Sequence, residues 1–340
     1  MISGKTWVNN HAHILRFYFD NKYLLHYLNQ FNFHGYVSGT TRLKLTQGSL
    51  RKIPIEIAPL PEQRAIVSKL EQLLSELDNG ITNLKLAQEQ LKVYRQAVLK
   101  KAFLGLNKIL FSELLETSQN GIAKRSGKAG FDFKVLRLAD IDDMTISYDN
   151  PRCIKLTSSE IQKYKLLKND LACIRVNGSK NLVGRLILVN ENDDNNDWAF
   201  CDHFIRISLK NSKAISKFYF YYFQTMEVRK YIHENMVSSA GQNTVSQNTI
   251  KSVLVPFTSL PEQQEVVKEI ETRLSVCDKV EKDIEENLEK AEALRQSILK
   301  RAFEGKLLNE KELEDVRSAP DWEPAEVLLE RIKAESNKTK

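Results

Sequence analysis

Three short stretches of this sequence gather side chains that donate hydrogen bonds. They are Lys124-Arg125-Ser126-Gly127-Lys128, Arg175-Val176-Asn177-Gly178-Ser179-Lys180-Asn181 with Arg185 just beyond, and Ser239-Ala240-Gly241-Gln242-Asn243-Thr244. Lysine and arginine neutralise phosphates, and arginine, asparagine and glutamine are the residues that pair bidentately with base edges in a duplex groove. The candidate contacts are therefore Lys124, Arg125, Lys128, Arg175, Asn177, Ser179, Lys180, Arg185, Gln242 and Asn243. Each has a plainer reading. The first stretch is equally well a solvated basic turn, and Gly-Gln-Asn is ordinary turn chemistry. His203 beside Asp202 has the types of an acid–base pair. With no nucleophile assigned to it, a histidine entering an apolar run is more often structural.

Other chemistries lack their signatures. There is no GxxxxGK[ST] phosphate loop and no glycine-rich dinucleotide turn after a strand. Cys153, Cys173, Cys201 and Cys277 are scattered without a CxxC pair, which gives neither a zinc site nor a disulfide framework. No catalytic residue, metal or cofactor is expected, and the reading is a binding module rather than an enzyme. The aromatic run Phe218–Phe223 is most simply a largely buried helix, and the acidic, amide-rich segment Asn190–Asp197 a solvent loop facing away from phosphate.

The elements that must position these loops follow from a repeat. Leu60-Pro61-Glu62-Gln63 returns as Leu260-Pro261-Glu262-Gln263, and from 60 to 105 the register holds without a gap, with 17 of 46 positions identical. Pro-Glu-Gln suits a first helical turn, Ser259 and Glu262 have capping-box spacing, and Gly105 and Gly305 stand as stops. Asn79-Gly80 is a place where the first copy could kink. Apolar residues recur three and four apart: Ile66, Leu70, Leu73, Leu77, Ile81, Leu84, Leu91, Tyr94 and Val98, against Ile270, Leu274, Cys277, Val280, Ile284, Leu288, Ala291, Leu294 and Ile298. Each helix should run about 65 Å at 1.5 Å per residue. Neither can bury its stripe alone, so an antiparallel pair acting as a spacer is expected.

The repeat extends upstream. Thr46-Gln47 faces Ser246-Gln247, Ile53-Pro54-Ile55 faces Val253-Leu254-Val255, and His13-Ile14-Leu15-Arg16 echoes His203-Phe204-Ile205-Arg206, with Trp7 and Trp198 before them. Most of 106–190 has no earlier counterpart, from which the first copy is expected to lack its opening part. The second copy alternates short apolar runs (Val135–Leu138, Leu171–Ile174, Leu186–Val189, Phe204–Leu209) with helical stretches such as Ser216–Val228. It reads as α/β or α+β.

Bulk properties agree with a soluble two-domain protein. The chain has 340 residues, 42% hydrophobic and 28% charged, with a formal net charge of +6. That basic excess fits phosphate neutralisation without requiring it. No run is long enough to span a membrane and the N-terminus lacks a signal-peptide core, so a cytoplasmic location is expected.

Two globular units, each followed by Leu-Pro-Glu-Gln and a long helix ending in Leu-Lys-Lys/Arg-Ala-Phe-x-Gly, resemble the DNA specificity subunits of Type I restriction-modification enzymes. Val135–Ile141, Leu167–Leu171, Val183-Gly184-Arg185 and the tail Gly305–Leu308 with Glu323–Ile332 are similar to other signatures of that family. The resemblance implies α/β (mixed α+β) target-recognition domains separated by a long antiparallel two-helix coiled-coil spacer. It divides the chain into a partial first recognition domain (1–59), a central helix (60–105), a second recognition domain (106–257), a C-terminal helix (258–305) and a tail (306–340), which should pack near the first domain. It also favours proximity of 175–180 to DNA. The implied partners are double-stranded DNA, methyltransferase (modification) subunits docked on the helices, a restriction subunit, and a second polypeptide supplying the missing part of the first domain. The rival readings are a coiled-coil scaffold or non-functional fragment with no independent DNA reading, and a self-contained nuclease.

Overall fold

In a computed structural model the described residues are 7–8, 11–15, 20–142, 144–147, 149–189 and 198–338, with side chains to residue 334. The acidic segment expected as a loop, Asn190–Asp197, lies outside them. The chain divides into two compact units, residues 1–88 with 281–340, and residues 89–280. In chain order the first elements are α1 (Asn21–Gln30), β1 (Val37–Ser38), β2 (Lys44–Leu45), α2 (Gln47–Leu50) and the long helix α3 (Leu60–Ala102). Then follow β3 (Lys108–Leu110), β4 (Leu115–Asn120), β5 (Phe131–Leu136), β6 (Ile141–Asp142), β7 (Thr145–Ile146), β8 (Arg152–Leu156), α4 (Ser158–Tyr164), β9 (Leu171–Ile174), β10 (Val176–Asn177), β11 (Leu186–Leu188), β12 (Trp198–Phe200) and β13 (Phe204–Leu209). The chain closes with α5 (Ser216–Tyr222), α6 (Met226–Asn235), β14 (Val237–Ser239), β15 (Gln242–Thr244), α7 (Gln247–Lys251), β16 (Leu254–Pro256), the long helix α8 (Leu260–Phe303), α9 (Glu310–Arg317) and α10 (Ala325–Lys338).

Both long helices form as their spacing predicts, and α3 runs unbroken through Asn79-Gly80. At the start of α8 the Ser259 hydroxyl accepts from the Glu262 N–H at 3.5 Å while the Glu262 carboxylate accepts from the Ser259 N–H at 3.1 Å. Both helices stop at a glycine in the left-handed region, Gly105 at φ 81° and Gly305 at φ 70°. They pack antiparallel within each unit, and the repeat makes the contacts reciprocal. Arg95 pairs with Asp278 at 2.7 Å, and its repeat mate Arg295 pairs with Asp78. Glu271 pairs with Lys217 of α5, and Glu71 with Lys22 of α1. Phe103 packs edge-on against Phe218 and Tyr222, and Phe303 against Tyr23 and Tyr27, all with ring centroids 5.1–5.2 Å apart.

The seam differs in detail from the expected stripe. Tyr94, Val280 and Leu294 are 48%, 40% and 50% exposed, whereas Val67, Leu99, Val267 and Leu299 are buried. Near its ends each helix buries a wider face, because a globular unit covers it there in addition to the partner helix.

Within unit 2 the antiparallel sheet β11-β9-β13-β4 has alternating faces. Leu171, Cys173, Ile205 and Ile207 join the core built with α5, α6 and the adjoining parts of α3 and α8. Ala172, Ile174, Ile187 and Phe204 face a second core with Leu136, Trp198 and Phe200. A sheet of order β12-β5-β8 closes that side, β12 parallel and β8 antiparallel to β5. The aromatic run is buried as expected, and Tyr219 and Tyr222 donate to the carbonyls of Pro256 (3.2 Å) and Leu254 (3.0 Å). The single helix expected over Ser216–Val228 is two, α5 and α6. Thr225 sits between them with extended backbone, and its hydroxyl donates to the Tyr222 carbonyl at 2.7 Å, closing α5.

In unit 1, α1 repeats the aromatic arrangement, Tyr23 and Tyr27 donating to the carbonyls of Glu56 (3.1 Å) and Pro54 (2.8 Å). The tail belongs to this unit: Lys69 pairs with Glu312 and Arg64 with Asp321, and Leu307 and Leu308 join the cluster that contains Tyr23 and Tyr27. Among the described residues no helix is long and apolar enough to cross a membrane.

Candidate nucleic-acid interface

Two of the three candidate stretches come together as one small sheet. β15 lies between β10 and β14, antiparallel to both, with Asn177 opposite Asn243 and Ser239 opposite Gln242. The hairpin closes on Ala240-Gly241, both at positive φ (47° and 77°), the two-residue geometry that matches strand twist. Strand alternation then separates the two amides. Gln242 is exposed, while Asn243 is only 5% exposed.

Asn243 is fully engaged. Its Nδ2 donates to the carbonyls of Gly178 (2.9 Å) and Asn177 (3.3 Å), and its Oδ1 accepts from the Ser238 hydroxyl at 2.6 Å. It holds the two stretches together, and no amide donor remains for a base. Asn177 is half-buried, and its Oδ1 accepts from the Ser179 N–H at 2.8 Å, shaping the turn that presents Ser179 and Lys180 to solvent. Arg175 donates from Nη1 to the Asp202 carbonyl at 3.0 Å, and Arg185 from Nε to the Asn181 carbonyl at 2.8 Å.

A residue that the sequence reading passed over fixes this loop from beneath. Arg229 of α6 is buried, and its Nη2 donates to the carbonyls of Val183 (2.8 Å), Asn181 (3.1 Å) and Lys180 (3.5 Å). Burial first, and then repulsion by Arg185, lowers its guanidinium to about 10. An arginine inside a helical stretch carries no sequence mark of such a role.

The Lys124–Lys128 stretch lies at the turn Cys201-Asp202-His203, which Arg175 also grips. The N–H of Ile122 donates to the Phe200 carbonyl at 2.9 Å, and the Asp202 N–H to the Ile122 carbonyl at 3.1 Å. Lys124 itself is tied to both Glu160 oxygens at 3.1 Å, and these bonds, after the Thr157 N–H, lower the Glu160 pKa. Arg125 and Lys128 remain exposed. Arg152, unremarked in the sequence, donates to the Arg125 carbonyl, and Arg137 forms a bidentate pair with Asp140. With Lys124, Arg125 and His203 they line a cavity of about 230 Å³.

Cys201, Asp202 and His203 place their ligand atoms within 4.8 Å of one another. Burial pushes the Cys201 thiol up to about 11, and four basic residues share the cavity wall. Both effects oppose a bound cation. His203 therefore reads as part of the turn, its carbonyl accepting from the Arg175 N–H at 2.7 Å.

What results is a repeat-built protein in which short polar hairpins are held rigidly at the edge of mixed α/β units carried by two long antiparallel helices. Comparison with known proteins identifies the class. The family described as Type I restriction modification DNA specificity domain matches residues 1–86 and 145–290, more than half of the chain. The StySPI specificity subunit of Salmonella potsdam is 36% identical over 312 residues, which is 88% of this chain and 67% of that protein. The EcoKI specificity subunit of Escherichia coli (strain K12) is 28% identical over 313 residues, with the same coverage. The fold is similar to a chain solved in a study of complex assembly and conformational transition of the type I R-M system (TM-score 0.68, 18% identity, 85% of this chain and 72% of that one). It is similar also to the HsdS subunit from Thermoanaerobacter tengcongensis (TM-score 0.53, 17% identity, 84% and 70%). The chain belongs to the Type I restriction-modification DNA specificity family.

Proposed function

We propose that this chain reads the DNA target for a Type I restriction-modification complex, and that unit 2 reads one half of a bipartite site through the β10-β15-β14 sheet and the neighbouring Lys124–Lys128 loop. The observation that carries the residue assignment is the pairing of two separately suspected stretches in one sheet, with an exposed glutamine beside a buried asparagine. In this reading Gln242 reads a base edge. Arg125, Lys128, Ser179 and Lys180 contact the backbone, since their side chains project into solvent. Lys124, Arg175, Asn177, Arg185 and Asn243 act as positioning residues, because their polar groups are engaged within the fold.

The methyltransferase subunits dock on the long helices in this reading. Val93 and Val276, 70% and 61% exposed on α3 and α8 of unit 2, supply apolar surface for that contact.

The test is co-expression with the modification subunit, followed by mapping of methylated positions on genomic DNA. A bipartite methylated motif is expected, and Gln242→Ala should relax the base preference in one half only. An unchanged motif in the variant removes Gln242 from the interface. Failure to form a complex or to methylate favours the scaffold reading.

A further inference from the structure

The repeat makes a statement about unit 1 that neither unit makes alone. In unit 2 the polar hairpin β14–β15 leads through the Ser246 cap into α7, then into β16 and α8. In unit 1 the hairpin β1–β2 leads through the Thr46 cap into α2, then through 53–55 into α3. The caps match in detail: Thr46 Oγ1 accepts from the Ser49 N–H at 3.1 Å, and Ser246 Oγ from the Thr249 N–H at 3.0 Å. Val37 and Ser38 open the first hairpin as Val237 and Ser238 open the second. Val37 pairs with Leu45 where Val237 pairs with Thr244, so the tip of the first hairpin is one residue longer.

The chemistry at that tip differs from unit 2. Two hundred residues before Gln242 the first copy has Arg42, which the longer tip places in the turn ahead of β2 where Gln242 lies within β15; Leu43 and Lys44 follow it, and all three are exposed, Leu43 by 72%. The tip is closed tightly: Gly39 has φ 108°, and a Cβ there would stand 2.3 Å from the Arg42 carbonyl oxygen. The Arg42 backbone is therefore held against Gly39, and its guanidinium projects from an anchored position. Arg51 and Lys52, at the end of α2, are exposed as well. From Asn21 to Ile55 the sequence contains no acidic residue, and among the described residues Arg42, Lys44, Arg51 and Lys52 form none of the ion pairs seen elsewhere in the unit.

We propose that β1–β2 is the base-reading element of unit 1, with Arg42 as its specificity-determining residue and Lys44 as a backbone phosphate contact. Guanidinium donors match the N7 and O6 acceptors of guanine, as an amide matches N7 and N6 of adenine. An arginine anchored at the tip of the corresponding hairpin thus has unit 1 select guanine at the position its tip reaches. This rests on the DNA reading proposed above for unit 2.

The experiment is selection of binding sites from a random duplex pool by the purified full chain, followed by salt titration on the selected duplex. Arg42→Gln, Arg42→Ala, Lys44→Ala and Gln242→Ala are run in parallel. Arg42→Ala should lower discrimination for guanine at one position about 5- to 150-fold, and Arg42→Gln should move the preference there towards adenine. Lys44→Ala should weaken all sequences alike and reduce the salt slope by about 1. Equal weakening of every sequence by Arg42→Ala, or no effect, overturns the assignment. If Gln242→Ala still relaxes the other half-site, only the hairpin inference has failed. If neither variant changes selection, the DNA reading of both units fails together.

Discussion

Asn243 and Gln242 are adjacent in sequence and identical in hydrogen-bonding type, yet one is buried and the other exposed, and the opposite roles proposed for them can be separated by substitution. Replacing Asn243 by Ala removes three hydrogen bonds and leaves the carbonyls of Asn177 and Gly178 and the Ser238 hydroxyl without their partner. At about 1 kcal/mol net for each, the β10-β15-β14 sheet loses about 3 kcal/mol, roughly a hundredfold in its opening equilibrium. Gln242 is exposed, so Gln242→Ala should change stability by less than about 0.5 kcal/mol. Amide hydrogen exchange read by mass spectrometry distinguishes the two. Asn243→Ala should cut protection over 176–178 and 237–244 by about two orders of magnitude and leave β9 and β13 unchanged, because those strands belong to a different sheet. Gln242→Ala should leave protection intact while altering DNA selection. If Asn243→Ala preserved protection and changed base preference, the asparagine would be a reader and the burial reasoning would be wrong.

Three further outcomes follow from the same geometry. Phe103→Ala and Phe303→Ala should each cost about 3–5 kcal/mol in denaturant unfolding, since each nearly buried ring meets two aromatic partners edge-on; a loss below about 1 kcal/mol in either would deny that these helix ends anchor their units. Arg95→Asp should cost about 0.5–1 kcal/mol, discounted because Asp278 is largely exposed, and the added Asp278→Arg should restore most of it in a double-mutant cycle. The tail should loosen in acid. Bonds from Lys69 and Arg64 hold the carboxyls of Glu312 and Asp321 below their ordinary values, so their stabilisation is present above about pH 4 and is lost as pH falls through the depressed values. Pepsin cleavage of 306–334, normalised at each pH to cleavage of an unfolded reference peptide, should come progressively sooner as pH drops from 5 to 3, and Lys69→Ala should abolish part of that dependence; a normalised rate independent of pH would exclude these pairs as the tether.

The long helices and their pairing were legible in the sequence because a two-hundred-residue repeat and a helical apolar period are long-range, redundant signals. The strands β9 and β11 were legible for a similar reason, being continuous apolar runs covered on both faces, and β13 was nearly so, with Arg206 and Ser208 interrupting its run. The site was legible only as a set of loops. Whether an amide is exposed or holds the fold depends on one step of strand alternation, and the register that buried Asn243 and exposed Gln242 is set by the Ala240-Gly241 turn and by β10, sixty-odd residues upstream. Arg229 was missed because a buried arginine that caps carbonyls looks, in sequence, like any helical surface residue. The break between α5 and α6 was missed because the helical period continues across it, while the Thr225 hydroxyl and N–H both bond the Tyr222 carbonyl and close the first helix.

The reciprocity of the contacts constrains how such a chain can change. Every repeated pair across the helices joins a residue of one copy to a residue of the other: Arg95 to Asp278 and Arg295 to Asp78. Phe103 likewise ends the first copy's helix and is buried in unit 2, while Phe303 ends the second copy's helix and is buried in unit 1. Each unit therefore contains the start of one long helix and the end of the other. The anchoring residues must be kept in both copies together, whereas the exposed residues of the hairpin tips are free to differ. If Arg42 and Gln242 read bases as proposed, two different exposed side chains on repeated hairpins are the division expected of a protein whose scaffold is repeated and whose specificities are independent.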